Sequence, residues 1–369
     1  MKVGILTSTR ADFGIYLPLI KELIQDTSFD IEIIAFGTHL SKEHGYTLNE
    51  ITNSGFSVKH KLQTVPGGDK SQDIAKSIGK TTLIFSDFWN NNKFDFVFAL
   101  GDRYEMFAAV TAGTPFNVKF VHLHAGETTL GAIDNAYRHS ISLMSEYLFV
   151  STEIYKTRAA EITGKTNNVF NVGALSIDNL KKVKLFSIQD FKIKFNIDLN
   201  KPTILSTFHP ETVSLEKNEE YIKELLNAFD ELKEKYQIVI TMPNADTMGL
   251  TIRKKIETFA ENKNNIILIK SFGMKGYLTC MKYCSFLLGN TSSGFVEAAF
   301  FPKWVINLGD RQKGRIVTKN IFSIPVEKTE ILKTVDIIER KKPPVNCNIY
   351  GNGNTAQKIV KILKQLYTT

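Results

Sequence analysis

Between residues 98 and 145 the chain crowds titratable side chains: Asp102-Arg103, His122 with His124, Glu127, and Asp134 with Arg138-His139. Carboxylates and imidazoles held close together push one another's proton affinities apart, so such a set could take up and return a proton. A second set is built of hydroxyls and cations. It comprises Arg10 in Thr7-Ser-Thr-Arg-Ala-Asp12, His209 in Phe208-His-Pro-Glu211, and Ser292, Ser293 and Glu297 in Asn290-Thr-Ser-Ser-Gly-Phe-Val-Glu297, with Arg311, Lys313 and Arg315 beyond. Hydroxyls, backbone N–H groups at a helix start and fork-shaped guanidiniums together suit an anion such as a diphosphate.

Each residue also has a plainer reading. Arg10 could simply pair with Asp12, and Asp102 could be the N-cap of the following helix. On a strand, His122 and His124 would share a face; they could bind a metal, but no third ligand stands at a convincing spacing, and a hydrogen-bonded His122 under a sheet is the alternative. Glu127 follows a glycine in a loop and is expected to point into a cleft. Asp134 and Arg138 could be an ordinary surface pair four apart on a helix. Glu297, a turn inside its helix, could accept from ribose hydroxyls.

These residues need elements to hold them. Apolar runs at 3–6, 31–36, 96–100, 120–123, 147–150 and 169–172 alternate with helical periodicity at 15–24, 74–89, 105–112, 133–144 and 154–162. The second half repeats the plan, with strand-like runs at 203–206, 238–241, 266–269, 286–288 and 304–307 and helical patterns at 218–235, 249–260, 275–283, 294–300 and 329–340. Continuous apolar strands alternating with helices predict parallel sheets covered on both faces. The expected fold class is α/β, two doubly wound Rossmann-like domains with an interdomain cleft. Residues 1–175 would form the first domain and 176–354 the second, with the linker in the polar stretch 173–184. A C-terminal helix, 355–369, would cross back onto the first domain. Ligands bind such sheets outside the carboxyl ends of the strands, which is where both sets of residues fall.

Composition narrows the classes. The 369 residues carry a net charge of +8, unevenly spread: 16 Lys and Arg against 18 Asp and Glu in residues 1–175, and 30 against 20 in 176–369. The basic half has no aromatic-interleaved stripe, so nucleic acid is not expected and an anionic small molecule is. Three cysteines at 280, 284 and 347 give neither a disulfide framework nor zinc spacing. No apolar run is long enough to span a membrane, and residues 1–10 lack a signal-peptide core, so a cytoplasmic protein is expected. The first strand-to-helix turn is not a Gly-x-Gly-x-x-Gly dinucleotide fingerprint.

Seven motifs in order resemble the hydrolysing UDP-N-acetylglucosamine 2-epimerases of sialic and legionaminic acid synthesis. They are Thr9-Arg-Ala-Asp-Phe-Gly14, Gly101-Asp-Arg103, His122-Leu-His-Ala-Gly-Glu127, Gly131-Ala-Ile-Asp134 with Arg138-His139, Asn171-Val-Gly173, Ser292-Ser-Gly-Phe-Val-Glu297 and Gly309-Asp-Arg-Gln-Lys-Gly-Arg315. The resemblance implies a glycosyltransferase-B type fold, a UDP-sugar substrate, no cofactor, no metal and a homodimer. It implies loss of the C2 proton and of UDP to leave a 2-acetamidoglycal. Hydration and reprotonation on the opposite face then give a free manno-configured sugar. Asp102 and Asp134 would transfer protons with Glu127 helping. Arg10, Arg138, His209, Ser292, Ser293, Arg311 and Arg315 would hold substrate and diphosphate, and Glu297 the ribose.

One position departs from the pattern. Many members of the family carry a glutamate where this chain has His124, and the loop to Asp134 is one residue longer than in the sialic acid branch. That form resembles the branch acting on UDP-2,4-diacetamido-2,4,6-trideoxyglucose, and a histidine there could still move protons near neutral pH. Two rivals remain at this level: a UDP-sugar glycosyltransferase, which would not need the first carboxylate set, and a non-catalytic nucleotide-sugar sensor.

Overall fold

The computed structural model describes residues 1–42, 45–64, 68, 70–243 and 246–368. The chain divides into two compact units: Met1–Glu127, Asp134–Lys181 and Tyr350–Thr369 form the first, Thr128–Ile133 and Lys182–Ile349 the second.

The first unit is built on seven parallel strands, β1 (Lys2–Thr7), β2 (Asp30–Ala35), β3 (His60–Lys61), β4 (Phe96–Leu100), β5 (Phe120–Leu123), β6 (Tyr147–Val150) and β7 (Val169–Asn171), in the order β3-β2-β1-β4-β5-β6-β7. Its helices are α1 (Arg10–Ile24), α2 (Leu48–Asn53), α3 (Ser71–Asn91), α4 (Tyr104–Gly113), α5 (Asp134–Met144), α6 (Glu153–Thr163) and α7 (Leu175–Lys182). The apolar runs are continuous because the sheet is covered on both faces; every residue of β4, Phe-Val-Phe-Ala-Leu, is buried. One apolar cluster gathers Val3, Ile5, Phe98, Leu19 and Leu23. Another gathers Val97, Ala99, Trp89, Phe85 and Phe120. The strand order reverses direction between β1 and β4, the place in such a sheet where ligands gather.

The second unit has six parallel strands, β8 (Thr203–Thr207), β9 (Gln237–Thr241), β10 (Ile266–Ile269), β11 (Phe286–Gly289), β12 (Trp304–Leu308) and β13 (Ile321–Ile324), in the order β10-β9-β8-β11-β12-β13. Its helices are α8 (Ile188–Phe195), α9 (Asn218–Leu232), α10 (Gly249–Ala260), α11 (Gly273–Tyr283), α12 (Glu297–Phe300) and α13 (Lys328–Glu339). Here the order reverses between β8 and β11.

The chain passes from the first unit to the second at residues 181 and 182, inside the stretch 173–184; most of that stretch is the helix α7, whose polar residues complete other elements of the first unit. Pro18 inside α1 has no N–H to give the carbonyl of Gly14. Asn179 of α7 supplies the missing donor, its side-chain amide 2.8 Å from that oxygen. Asp178 accepts from the backbone N–H of Thr355 at 3.0 Å and of Ala356 at 2.8 Å. It thereby satisfies two of the unpaired donors at the start of the last helix, α14 (Thr355–Thr368). That helix packs on α1, with Ile359, Val360 and Leu363 in the same apolar cluster as Leu19 and Leu23.

Candidate active site

In the first unit the β1-to-α1 turn is organised by Asp12. Thr9 is the N-cap of α1, its hydroxyl accepting from Asp12 N–H while the Asp12 carboxylate accepts from Thr9 N–H, a capping box. The carboxylate also accepts from Thr7 Oγ1 at 2.6 Å, Ser8 N at 2.9 Å and Ser8 Oγ at 3.0 Å. Since Thr7 gives its proton to Asp12, it accepts from His39 Nε2 at 2.9 Å, and His39 Nδ1 meets Thr47 Oγ1 at 2.9 Å. Burial pushes the Asp12 carboxyl up, but the hydrogen bonds and charge of His39 and the donors Thr7 and Ser8 outweigh it and hold the group below the usual range. Arg10 thus starts a helix whose first turn is fixed, and burial lowers its own proton affinity against the pull of Glu50. His39 was not among the sequence candidates. It follows the end of β2, and that strand-end position was the signal available to find it.

At the ends of β4 and β5 the structure gathers Asp102, His124, Glu127 and Arg138. Asp102 is not the N-cap of α4; that position is Arg103. Asp102 is instead ion-paired to Arg138 and keeps 23% of its side chain exposed. Arg138 is not a surface partner of Asp134. It is 2% exposed, donates to the carbonyl of His124 at 3.0 Å and lies 3.8 Å from Glu127. Glu127 does not point into open space either. It is 1% exposed, accepts from His124 Nδ1 at 2.9 Å and from Ser151 Oγ at 3.4 Å.

The two histidines do not share a face. His122, on β5, is fully buried. Its Nε2 donates to the Gly101 carbonyl at 2.7 Å and its Nδ1 meets Ser142 Oγ at 2.9 Å. Burial lowers its pKa to about 3, so it is neutral and structural. His124 lies beyond the strand end with φ +65, an uncommon left-handed conformation for a side chain of that size. Because the carboxylate can only accept, His124 carries its proton on Nδ1; Nε2 is buried with no hydrogen-bond partner among the described residues. Gly126 makes this tight corner possible, for a Cβ there would stand 2.2 Å from the Tyr155 carbonyl. Asp134 is the first residue of α5 and half-buried. His139 is half-buried too, its pKa lowered by burial and by Arg138 and Arg158.

In the second unit the candidates are woven into one another. The side chain of Asn290 accepts from His209 N at 2.7 Å and donates to the His209 carbonyl at 2.8 Å, while the Asn290 carbonyl accepts from Gln312 at 2.8 Å. Glu211 accepts from Asp310 N at 2.6 Å and Arg311 N at 3.2 Å. Arg311 bonds Asp246 at 2.9 Å and the Pro210 carbonyl, and Arg315 bonds Gln312 at 2.6 Å. Both arginines are 8% exposed and held by the protein.

The expected helix over 294–300 is much shorter. A 3-10 turn, Ser292–Gly294, is followed by the four-residue α12, which Glu297 opens rather than sits inside. Ser292 is exposed, while Ser293 Oγ lies 2.5 Å from the hydroxyl of the half-buried Tyr277. Asn290, Glu211 and Tyr277 had no assigned role in the sequence reading, although the first two stand inside motifs it quoted.

The family model described as UDP-N-acetylglucosamine 2-epimerase matches residues 21–364. A relative from Campylobacter jejuni, named GDP/UDP-N,N'-diacetylbacillosamine 2-epimerase (hydrolyzing), is 37% identical over 87% of this chain and 83% of its own. One from Legionella pneumophila, named UDP-N,N'-diacetylbacillosamine 2-epimerase (hydrolyzing), is 32% identical over 99% of this chain and 96% of its own. The solved Neisseria meningitidis UDP-GlcNAc 2-epimerase, bound to UDP-GlcNAc, superposes with a TM-score of 0.85 at 21% identity, covering 99% of this chain and 100% of that one. That likeness shows the fold, a pair of Rossmann-like domains of the glycosyltransferase-B type.

Proposed function

The chain belongs to the UDP-N-acetylglucosamine 2-epimerase family, and on that premise we propose that it is a hydrolysing 2-epimerase of a UDP-linked 2-acetamido sugar, with UDP-2,4-diacetamido-2,4,6-trideoxyglucose the preferred substrate. The observation that carries the reaction is the ion pair of Asp102 with Arg138, the latter also beside Glu127 and the carbonyl of His124. The C2 proton beside an acetamido group is a very weak acid, so its removal needs a placed base and a leaving group whose charge is already met. Asp102 keeps part of its carboxylate open and takes that proton. Glu127 is too buried to meet a sugar and acts through His124, whose proton it holds on Nδ1. Asp134 gives a proton to the opposite face of C2 of the glycal, which makes C1 electrophilic, and water adds there and loses its proton. Arg10, His209, Ser292, Ser293, Arg311 and Arg315 meet the charge of the departing UDP, and Glu297 takes the ribose hydroxyls. Arg138 serves the carboxylates rather than the diphosphate. The choice of sugar is supported by the names of two of the three relatives above 30% identity, the third being named a polysialic acid biosynthesis protein, and by histidine at position 124. The product would feed synthesis of legionaminic-type or sialic-type acids, in the cytoplasm and as a homodimer.

Incubation with UDP-2,4-diacetamido-2,4,6-trideoxyglucose and with UDP-N-acetylglucosamine in D₂O, followed by NMR, tests the reading. The expected result is free manno-configured sugar deuterated at C2, formed faster from the diacetamido substrate. UDP release only in the presence of an acceptor sugar would instead mean a glycosyltransferase, and tight binding without turnover a sensor. Asp102→Asn should lower turnover by roughly two orders of magnitude or more with UDP affinity little changed.

A further inference from the structure

The chain between two of the proposed proton-handling residues leaves their unit. Glu127 and Asp134 belong to the first unit, while the six residues joining them, Thr128–Ile133, belong to the second. This strap is docked by its backbone. Leu130 N donates to the Lys313 carbonyl at 2.9 Å, Thr212 N donates to the Gly131 carbonyl at 3.2 Å, and Ile133 N donates to Thr212 Oγ1 at 2.8 Å. A Cβ on Gly131 would stand 2.4 Å from the Asp310 carbonyl oxygen and 2.6 Å from Arg311 Cα, so only a glycine lets the two backbones lie this close. The large apolar side chains of the strap are not its anchors, for Leu130 is 51% and Ile133 49% exposed.

What the strap docks on is the diphosphate-handling part of the second unit. Residues 209–212 and 309–315 form one piece through Glu211 to the Asp310 and Arg311 N–H groups and Arg311 to the Pro210 carbonyl. A shift of Arg311 or Arg315 toward an anion therefore moves the surface to which residues 130–133 are bonded. Those residues are continuous with Glu127 on one side and Asp134 on the other.

We infer that Thr212 and Gly131 are positioning residues. The strap they hold carries occupancy of the diphosphate loop to Glu127 and Asp134, so that proton transfer is set up when UDP-sugar is bound. The inference rests on the functional reading above. It requires the strap to act on turnover, because misplacing a reacting group by about 1 Å can cost on the order of 100-fold in rate.

Thr212→Val keeps the shape of the side chain and removes the acceptor of Ile133 N–H, which lies at the surface where water can replace it, so the fold is preserved. The expected result is a kcat at least about tenfold lower, with KM and the affinity for UDP within about twofold of wild type. Thr212→Ser restores the acceptor and should restore kcat. Gly131→Ala should reproduce the Thr212→Val pattern more strongly. If it fails to fold, Thr212→Val decides. In a parallel measurement, UDP alone should slow amide hydrogen exchange at Leu130 and Ile133 in the wild type and lose that effect in Thr212→Val. An unchanged kcat in Thr212→Val, a loss of UDP affinity in step with kcat, or no effect of UDP on the two amides in the wild type would overturn the inference. Failure of the wild type to release epimerised sugar would strike the functional reading instead, and the exchange measurement would still judge the strap.

Discussion

Two turns hold corresponding places in the two sheets. One follows β1 and carries Asp12; the other follows β8 and carries Glu211, each strand flanking the reversal of its strand order. Both carboxylates are almost fully buried, at 5% and 3% exposure. Burial pushes both proton affinities up, yet the outcomes are opposite. Asp12 is held below the usual carboxylate range by His39, Thr7 and Ser8. Glu211 is raised, because its bonds from Asp310 N and Arg311 N and the charge of Lys217 do not outweigh burial and the nearby Asp310 carboxylate. Depth therefore does not decide the state of a buried acid here; the donors turned toward it do. The first turn is a fixed clamp behind Arg10, and the second is a joint on which the strap and the 309–315 loop rest.

The largest effect that tests this contrast is expected from Asp12→Ala. The change leaves Ser8 N and Thr9 N without their acceptor in a buried turn and removes the capping box of α1. Unpaired buried donors cost about 1–3 kcal/mol each. The loss should reach about 3 kcal/mol or more by urea denaturation. Glu211→Ala, which frees only the two loop N–H groups, should cost less. Equal losses in the two variants would show that the clamp and the joint are the same device.

What the sequence made legible follows from what is local. Apolar runs such as β4 and β5, buried on both faces, are visible as runs, and the parallel order follows from their alternation with helices. The polar residues of α7 were unreadable as a helix. Asp178 and Asn179 look like linker residues until their partners are known, and those partners are the start of α14 and the carbonyl that Pro18 leaves unpaired, 177 and 165 positions away. The same limit applied to the site. That Asp102 and Arg138 are candidates was legible from their types and their places at a strand end and on a helix. That they pair with each other, and that Glu127 turns inward to His124, depends on the left-handed turn at His124 and the close packing at Gly126, which spacing does not encode. The short α12 was misread because its apolar residues continue a helical pattern that the 3-10 turn before it interrupts.

A smaller effect separates the two acids by sign. The folded-state pKa of Asp12 is depressed, so its contribution to stability is complete above the value of an unfolded aspartate, about 4, and is lost as pH falls through the depressed value. The folded-state pKa of Glu211 is raised, so the folded protein holds a proton that the unfolded chain has released. Stability from this residue is then lost as pH rises from the usual glutamate value through the raised one. Glu211→Gln keeps an oxygen to accept from Asp310 N and Arg311 N and carries no charge to bury. It should match the parent at acid pH and gain on it as pH rises through that window. The difference at neutral pH should be about 1 kcal/mol or less, the scale of one buried hydrogen bond. Denaturation midpoints of the parent and the variant, measured at pH 4, 6 and 8, decide it. A gap that stays constant across the three values would mean that folding leaves the proton affinity of Glu211 unchanged, and one that favours the parent increasingly as pH rises would mean that Glu211 is held ionised like Asp12 and that the second turn is a clamp like the first.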